Sequence, residues 1–131
     1  PDQYSEELKR MGREAGVVFT GFIKGDKLNQ LGHNAALFVL PSYHEGLPIA
    51  LLEAMSEELD VVVSDIPANR IKELEPDDFF PVGDVDALAS KIKEKLERGA
   101  TPRRYDLSNY NWDRIAEATV KVYEKALGGG K

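Results

Sequence analysis

Two carboxylates, Glu45 and Glu53, stand eight positions apart in the stretch Pro41-Ser-Tyr-His-Glu-Gly-Leu-Pro-Ile-Ala-Leu-Leu-Glu-Ala-Met55. Glu45 and Gly46 lie where an apolar run gives way to a turn. Pro48 suits the first position of a helix, where its missing N–H costs nothing. Free N–H groups at such a start, with the positive end of the helix dipole, can hold a phosphate. Gly46 would let a ligand approach the backbone closely. Two acids touching a phosphate would repel it, but as acceptors for hydroxyls on either side of it they make chemical sense. At a 1.5 Å rise per residue, Glu53 lies about 7–8 Å further along the axis than Pro48. A nucleotide sugar, a diphosphate with a sugar at each end, fits that spacing. Each acid also has a plain reading, Glu53 on a solvated helix face and Glu45 as an acid favoured by the helix dipole.

Other chemistry is sparse. There is no cysteine, so no thiolate nucleophile and no disulfide, and two histidines, His33 and His44, do not make a histidine-rich metal site. His44 beside Glu45 is a poor acid–base pair, because adjacent residues rarely face each other usefully. His33 reads as a helix-end residue, Tyr110 and Trp112 as anchors of a last helix, and Lys24 and Lys27 as solvated cations. Asp65, after a strand-like run, lacks the acidic cluster and late lysine that a phospho-acceptor site would need. A formal charge of −6 argues against a nucleic-acid partner. No apolar run reaches the length of a membrane span and no signal-peptide pattern opens the chain, so a cytoplasmic protein is expected.

Four short apolar runs must carry these residues: Val17-Val-Phe-Thr20, Ala36-Leu-Phe-Val-Leu40, Val61-Val-Val-Ser64 and Phe79-Phe-Pro-Val82. Continuous, β-branched runs suit strands buried on both faces of a parallel sheet, and Pro81 marks the last as an edge strand. Helical patterns lie between them: from Ser5, as N-cap, to Glu14; from Asp26 to Gly32 or His33; from Pro48 to Glu57; from Pro67 to Leu74; and from Ala87 to Arg98, capped by Asp84 or Asp86. That last pattern sets Leu88, Ile92 and Leu96 on one face. A final helix is expected from Trp112 to Leu127. The alternation predicts an α/β, Rossmann-like open parallel sheet of about four strands with helices on its faces. One domain is expected over residues 1–127, followed by a flexible glycine tail over 128–131. Ligands of such sheets bind beyond the carboxyl ends of the strands.

Five blocks, "VVFTGFI", "AALFVLPSYHEGLPIALLEAM", "VVVSDIPANR", "FFPVGDVDALASKIKEKL" and "NWDRIAEATVKVYEKAL", in that order, resemble the donor-binding C-terminal domain of the GT-B retaining glycosyltransferases, in glycosyltransferase family 4. The match covers the chain from Val17 to about Leu127. The resemblance implies that Glu45 binds hydroxyls of the transferred sugar and that Glu53 accepts hydrogen bonds from the ribose. It gives the backbone at Gly46, Leu47, Pro48 and Ile49 to the diphosphate, and the loop Gly21, Phe22, Ile23 and Lys24 to the base. It implies a UDP-, GDP- or ADP-hexose as partner and retaining transfer of the hexose to a glycan-type acceptor. No metal and no cofactor are implied, and Asp84-Val-Asp86 reads as a helix cap rather than a metal motif. No catalytic residue is assigned within this chain.

The blocks also depart from the family pattern. The two strands that open such a donor domain, and the Arg and Lys they bring to the diphosphate, have no counterpart before Ser5. An isolated chain is therefore expected to bind rather than transfer, and its sheet to close by direct strand pairing, as a homodimer, or with an N-terminal half. After Glu53 the family places a glycine near the helix end, where this chain has Ser56-Glu-Glu-Leu-Asp60; Glu58 cannot take a left-handed cap cheaply. A non-catalytic α/β folding or assembly module, natural or engineered, is the second reading.

Overall fold

The computed structural model describes residues 3–20, 25–99, 102–110 and 113. They fall into two compact units, one within residues 1–31 and one within 32–131. The first contains α1 (Gln3–Ala15) and the start of α2 (Asp26–Asn34). The helix α1 already contains Ser5, so Ser5 is not its cap. It ends on Gly16 at φ 80°, with Val17 N–H donating to Gly12 O and Gly16 N–H to Arg13 O. That bond pair is the Schellman stop, and its left-handed residue is normally glycine.

The second unit holds a parallel sheet in the order β1-β2-β3, with β1 Phe38–Leu40, β2 Val61–Ser64 and β3 Phe79–Phe80. Helix α3 (Ile49–Ser56) connects β1 to β2, and α4 (Val85–Glu97) follows β3. The central strand is buried at every residue, as a continuous Val-Val-Val-Ser run between two neighbours requires. Leu51, Leu52 and Met55 of α3 close on Val61 and Val63 to form the core, with Phe38, Leu40, Phe79, Tyr105 and Leu107 around them. Alternation sends Val62 to the other face, where it is equally enclosed.

The α/β parallel class holds, with three strands among the described residues where about four were expected. Val17–Thr20 forms no strand, and Val18 is 82% exposed. A strand exists only through ladder hydrogen bonds to a neighbouring strand, and this run joins no ladder among the described residues; its Val17 N–H is spent on Gly12 O at the end of α1. The pattern from Pro67 to Leu74 yields only a 3-10 turn, Pro67–Asn69, because the Asn69 amide group is drawn into bonds with Ser64. A second 3-10 turn, Pro76–Asp78, precedes β3, with Asp78 Oδ2 accepting from Glu75 N–H at 2.7 Å. Pro48 is the N-cap residue of α3 rather than its first helical residue. Asp84 does cap α4, accepting from Ala87 N–H at 2.9 Å. On α4, Lys95 takes the buried place expected for Leu96, which is half exposed. The final helix lies outside the described residues apart from Asp113.

Helix α3 ends as α1 does, with Leu59 N–H donating to Ala54 O and Glu58 N–H to Met55 O, but its left-handed residue is Glu58 at φ 62°. A side chain there costs about 1–2 kcal/mol. Glu58→Gly is therefore expected to raise stability by about 1 kcal/mol and Tm by about 4 °C. Thermal unfolding checks this, and an unchanged or lowered Tm would show that the Glu58 side chain contributes more than its backbone costs.

Candidate functional site

At the carboxyl end of β1 the chain runs Pro41-Ser-Tyr-His-Glu-Gly-Leu-Pro48 without regular structure before α3 begins. Glu45 is half-buried, and its Oε1 accepts from the Ser42 hydroxyl at 2.6 Å. Its Oε2 has no partner among the described residues, so one oxygen is held and the other stays available as an acceptor. Nothing lies within 4 Å of where a side chain on Gly46 would begin, so its backbone faces open space. The exposed Tyr43 reaches the loop after β3, its hydroxyl 3.4 Å from the place a Gly83 Cβ would take.

The first turn of a helix leaves its N–H groups without intrahelical acceptors. Ile49 N–H is already committed to Leu47 O at 2.8 Å, and Pro48 has no N–H to give. Gly46 and Leu47 before the turn, with Ala50 and Leu51 inside it, are then the amides from which an anion contact would be drawn. Ala50 is exposed and Glu53 half-buried, three residues apart, while Leu51, Leu52, Ala54 and Met55 point into the core. Residues at i and i+3 share a helix face, so Glu53 stands on the same outward face as the helix start. The loop Gly21, Phe22, Ile23 and Lys24 lies outside the described residues.

At the opposite pole, the amino ends of β2 and β3 carry a quartet of charges that spacing did not reveal, with Lys95 and Asp78 buried and Asp60 and Arg103 half-buried. Lys95 Nζ lies 2.8 Å from Asp60 Oδ1 and 2.6 Å from Asp78 Oδ1. Arg103 grips Asp78 with both terminal nitrogens, at 2.7 and 2.9 Å, and reaches Asp60 at 2.8 Å. Burial alone would raise both carboxyl pKa values, but hydrogen bonds from Lys95 and Arg103 hold them below the ordinary 3.8. Hydrogen bonding to Asp78 raises Arg103 in turn, against the cost of burial. The Arg103 guanidinium lies over the Tyr105 ring at 4.7 Å, and Tyr105 donates to Leu59 O at 2.6 Å. These contacts pin the chain after α4 across the strand starts. Two signals were present in sequence: Lys95 falls three residues after Ile92 on the apolar stripe of α4, and Asp60 and Asp78 each immediately precede an apolar run.

A cleft of about 590 Å³ also opens at this amino-end pole, lined by His33, Asn34, Glu57, Glu58, Asp60 and Pro102 among others. It is remote from Glu45 and Gly46 along the strands. Concavity and the strand-end acids therefore do not coincide. Among the described residues no three His, Cys, Asp or Glu side chains gather as a metal site. No described helix is long and apolar enough to cross a membrane.

A parallel α/β sheet with acids and a helix start at its carboxyl ends has the layout of a Rossmann-like, ligand-binding domain. The family model described as glycosyl transferases group 1 matches residues 1–98, and the chain belongs to that family. It is 32% identical to the sulfoquinovosyl transferase of Arabidopsis thaliana, over 91% of this chain and 25% of that protein. It is 33% identical to an uncharacterized glycosyltransferase of Methanocaldococcus jannaschii, over 95% of this chain and 34% of that protein. It is 30% identical to the GDP-mannose:cellobiosyl-diphosphopolyprenol alpha-mannosyltransferase of Xanthomonas oryzae, over 79% of this chain and 30% of that protein. The chain thus spans a quarter to a third of the length of these relatives.

Proposed function

We propose that this chain forms the donor-binding part of a retaining glycosyltransferase and holds a UDP-, GDP- or ADP-hexose at the carboxyl end of β1. The observation that carries the reading is Glu45, fixed at one oxygen by Ser42 and open at the other among the described residues, beside an unobstructed Gly46 and a helix start. These residues fall within the stretch matched by the family. Glu45 accepts from hydroxyls of the transferred sugar, and Glu53 accepts from the ribose. The backbone N–H groups of Gly46 and Leu47 and of the first turn of α3 serve the diphosphate, in place of the expected Pro48 and Ile49, and the loop Gly21–Lys24 serves the base. The Xanthomonas relative, whose name specifies GDP-mannose, supports a nucleotide-sugar donor. Transfer of the hexose to a glycan-type acceptor belongs to the whole enzyme in this reading.

Titration of UDP-glucose, GDP-mannose and ADP-glucose, followed by amide chemical shifts, tests it. Saturable shifts are expected at Gly46, Leu47, Ala50 and the loop 21–24 for at least one donor. Glu53→Ala and Glu45→Gln should each weaken that donor about tenfold, the size of a hydrogen bond to a charged group. The absence of saturable shifts at millimolar donor would end the reading.

A further inference from the structure

We propose that Ser64, braced by Asn69, is a positioning residue for Glu45, acting through Ser42. The inference rests on the donor-sugar reading of Glu45 for its consequence, though not for its geometry. Ser64 ends β2 and is wholly buried, where the preceding Val61-Val-Val63 would lead one to expect a fourth apolar side chain. Its hydroxyl has one proton and two acceptors in range, Leu40 O at 3.5 Å and Ser42 O at 2.5 Å. The shorter bond takes the proton. Asn69, also wholly buried, brackets this serine: its Nδ2 donates to Ser64 O at 3.0 Å and to Ser64 Oγ at 3.3 Å. The direction of the chain of donors is thereby set, from Asn69 to Ser64 and from Ser64 to the Ser42 carbonyl. That chain ends on the Ser42 carbonyl, and the hydroxyl of the same residue donates separately to Glu45 Oε1 at 2.6 Å, so the link to Glu45 runs through the fixed Ser42 backbone.

Burying a serine and an asparagine at the end of a valine strand is unfavourable unless their polar groups are bonded. Here the Asn69 Nδ2 bonds hold Ser64 and the Ser64 hydroxyl holds the loop at Ser42, while Asn69 Oδ1 is buried without a partner among the described residues. The backbone of Ser42 is tied to the sheet by the Ser64 hydroxyl across 22 residues of sequence. Without that tie, the residue that holds the Glu45 carboxylate is free to shift. A carboxylate borne on a loop meets a ligand hydroxyl at a fixed place only if its holder is fixed as well.

The test uses the full chain with Ser64→Ala, Ser42→Ala and Glu45→Gln. Without ligand at pH 7, the ¹³C resonance of the Glu45 side-chain carboxyl is expected to move in the same direction in the two serine variants. The affinity for the best-bound of UDP-glucose, GDP-mannose and ADP-glucose is expected to fall about fivefold in each, while that for the free nucleoside diphosphate stays within twofold. On a Glu45→Gln background, Ser64→Ala should add less than a twofold loss, a non-additivity that general loosening of the fold does not produce. An unmoved Glu45 resonance in folded Ser64→Ala, or a full fivefold loss on the Glu45→Gln background, overturns the proposal. If Ser64→Ala does not fold, Ser64→Cys keeps the volume, weakens the donor and is read by the same resonance. If no nucleotide sugar binds the parent chain, the donor reading fails, and the carboxyl resonance alone still decides the positioning role.

Discussion

Replacing Lys95 with methionine is expected to lower the unfolding free energy by about 3–5 kcal/mol at pH 7, because it strands carboxylates that only Arg103 then neutralises. The Lys95 and Asp78 side chains are each only 2% exposed, so water cannot substitute for the lost ammonium. The corresponding fall in Tm is on the order of 10–20 °C. The pH dependence carries a sign. Asp60 and Asp78 have folded pKa values below their unfolded ones, so their contribution is complete above the unfolded value near 3.8 and is lost as pH falls through the lower folded values. The gap between parent and Lys95→Met should therefore be widest near neutral pH and should narrow below about pH 4, once the carboxylates are neutral and need no cation. Urea unfolding at several pH values measures it. A gap that is small at pH 7, or that widens on acidification, contradicts the account of the quartet.

Gly46→Ala is expected to leave the free protein intact and to weaken nucleotide-sugar binding by roughly thirtyfold, about 2 kcal/mol, as an inserted methyl does in a close contact. The added carbon meets nothing within 4 Å and the backbone is not left-handed, so Tm should change by no more than about 2 °C. The combination is informative because a stability effect and a binding effect are separated by the geometry itself. Parallel melting and donor titration check it, and unaltered affinity would mean that the ligand does not approach the backbone there.

How much of this could be read from residues alone depends on the range of the forces involved. The parallel α/β class was legible in the Val61-Val-Val63 run, because the body of a strand buried on both faces is apolar. The Asp84 cap was legible because a cap is settled within three residues. Val17–Thr20 has the same β-prone composition but forms no strand, since pairing depends on what lies beside it. The turn after β2 departed from a helical pattern because Asn69 found partners in Ser64, a competition the spacing of apolar residues does not register. Glu45 and Gly46 stand at the end of a strand as expected, but the hydroxyls behind Glu45 were invisible, their link crossing from one strand end to the next. Lys95 was hidden by its own chemistry: a lysine on an apolar stripe reads as an irregularity until Asp60 and Asp78 are brought to it.

In polymer terms, the grip of Arg103 on Asp60 closes a ring of chain across 43 residues that contains β2, β3 and α4. Closing a flexible loop of that length costs about 3 kcal/mol in chain entropy beyond a constant. An exposed ion pair contributes well under that, so a single contact could not keep the ring shut. The clasp instead gathers a bidentate grip, a shared lysine, a ring beneath the guanidinium, the Tyr105 hydroxyl and a bond from Arg103 N–H to Glu58 O at 2.8 Å. Contacts assembled at one point give way together, so the ring is either shut or open, with little between.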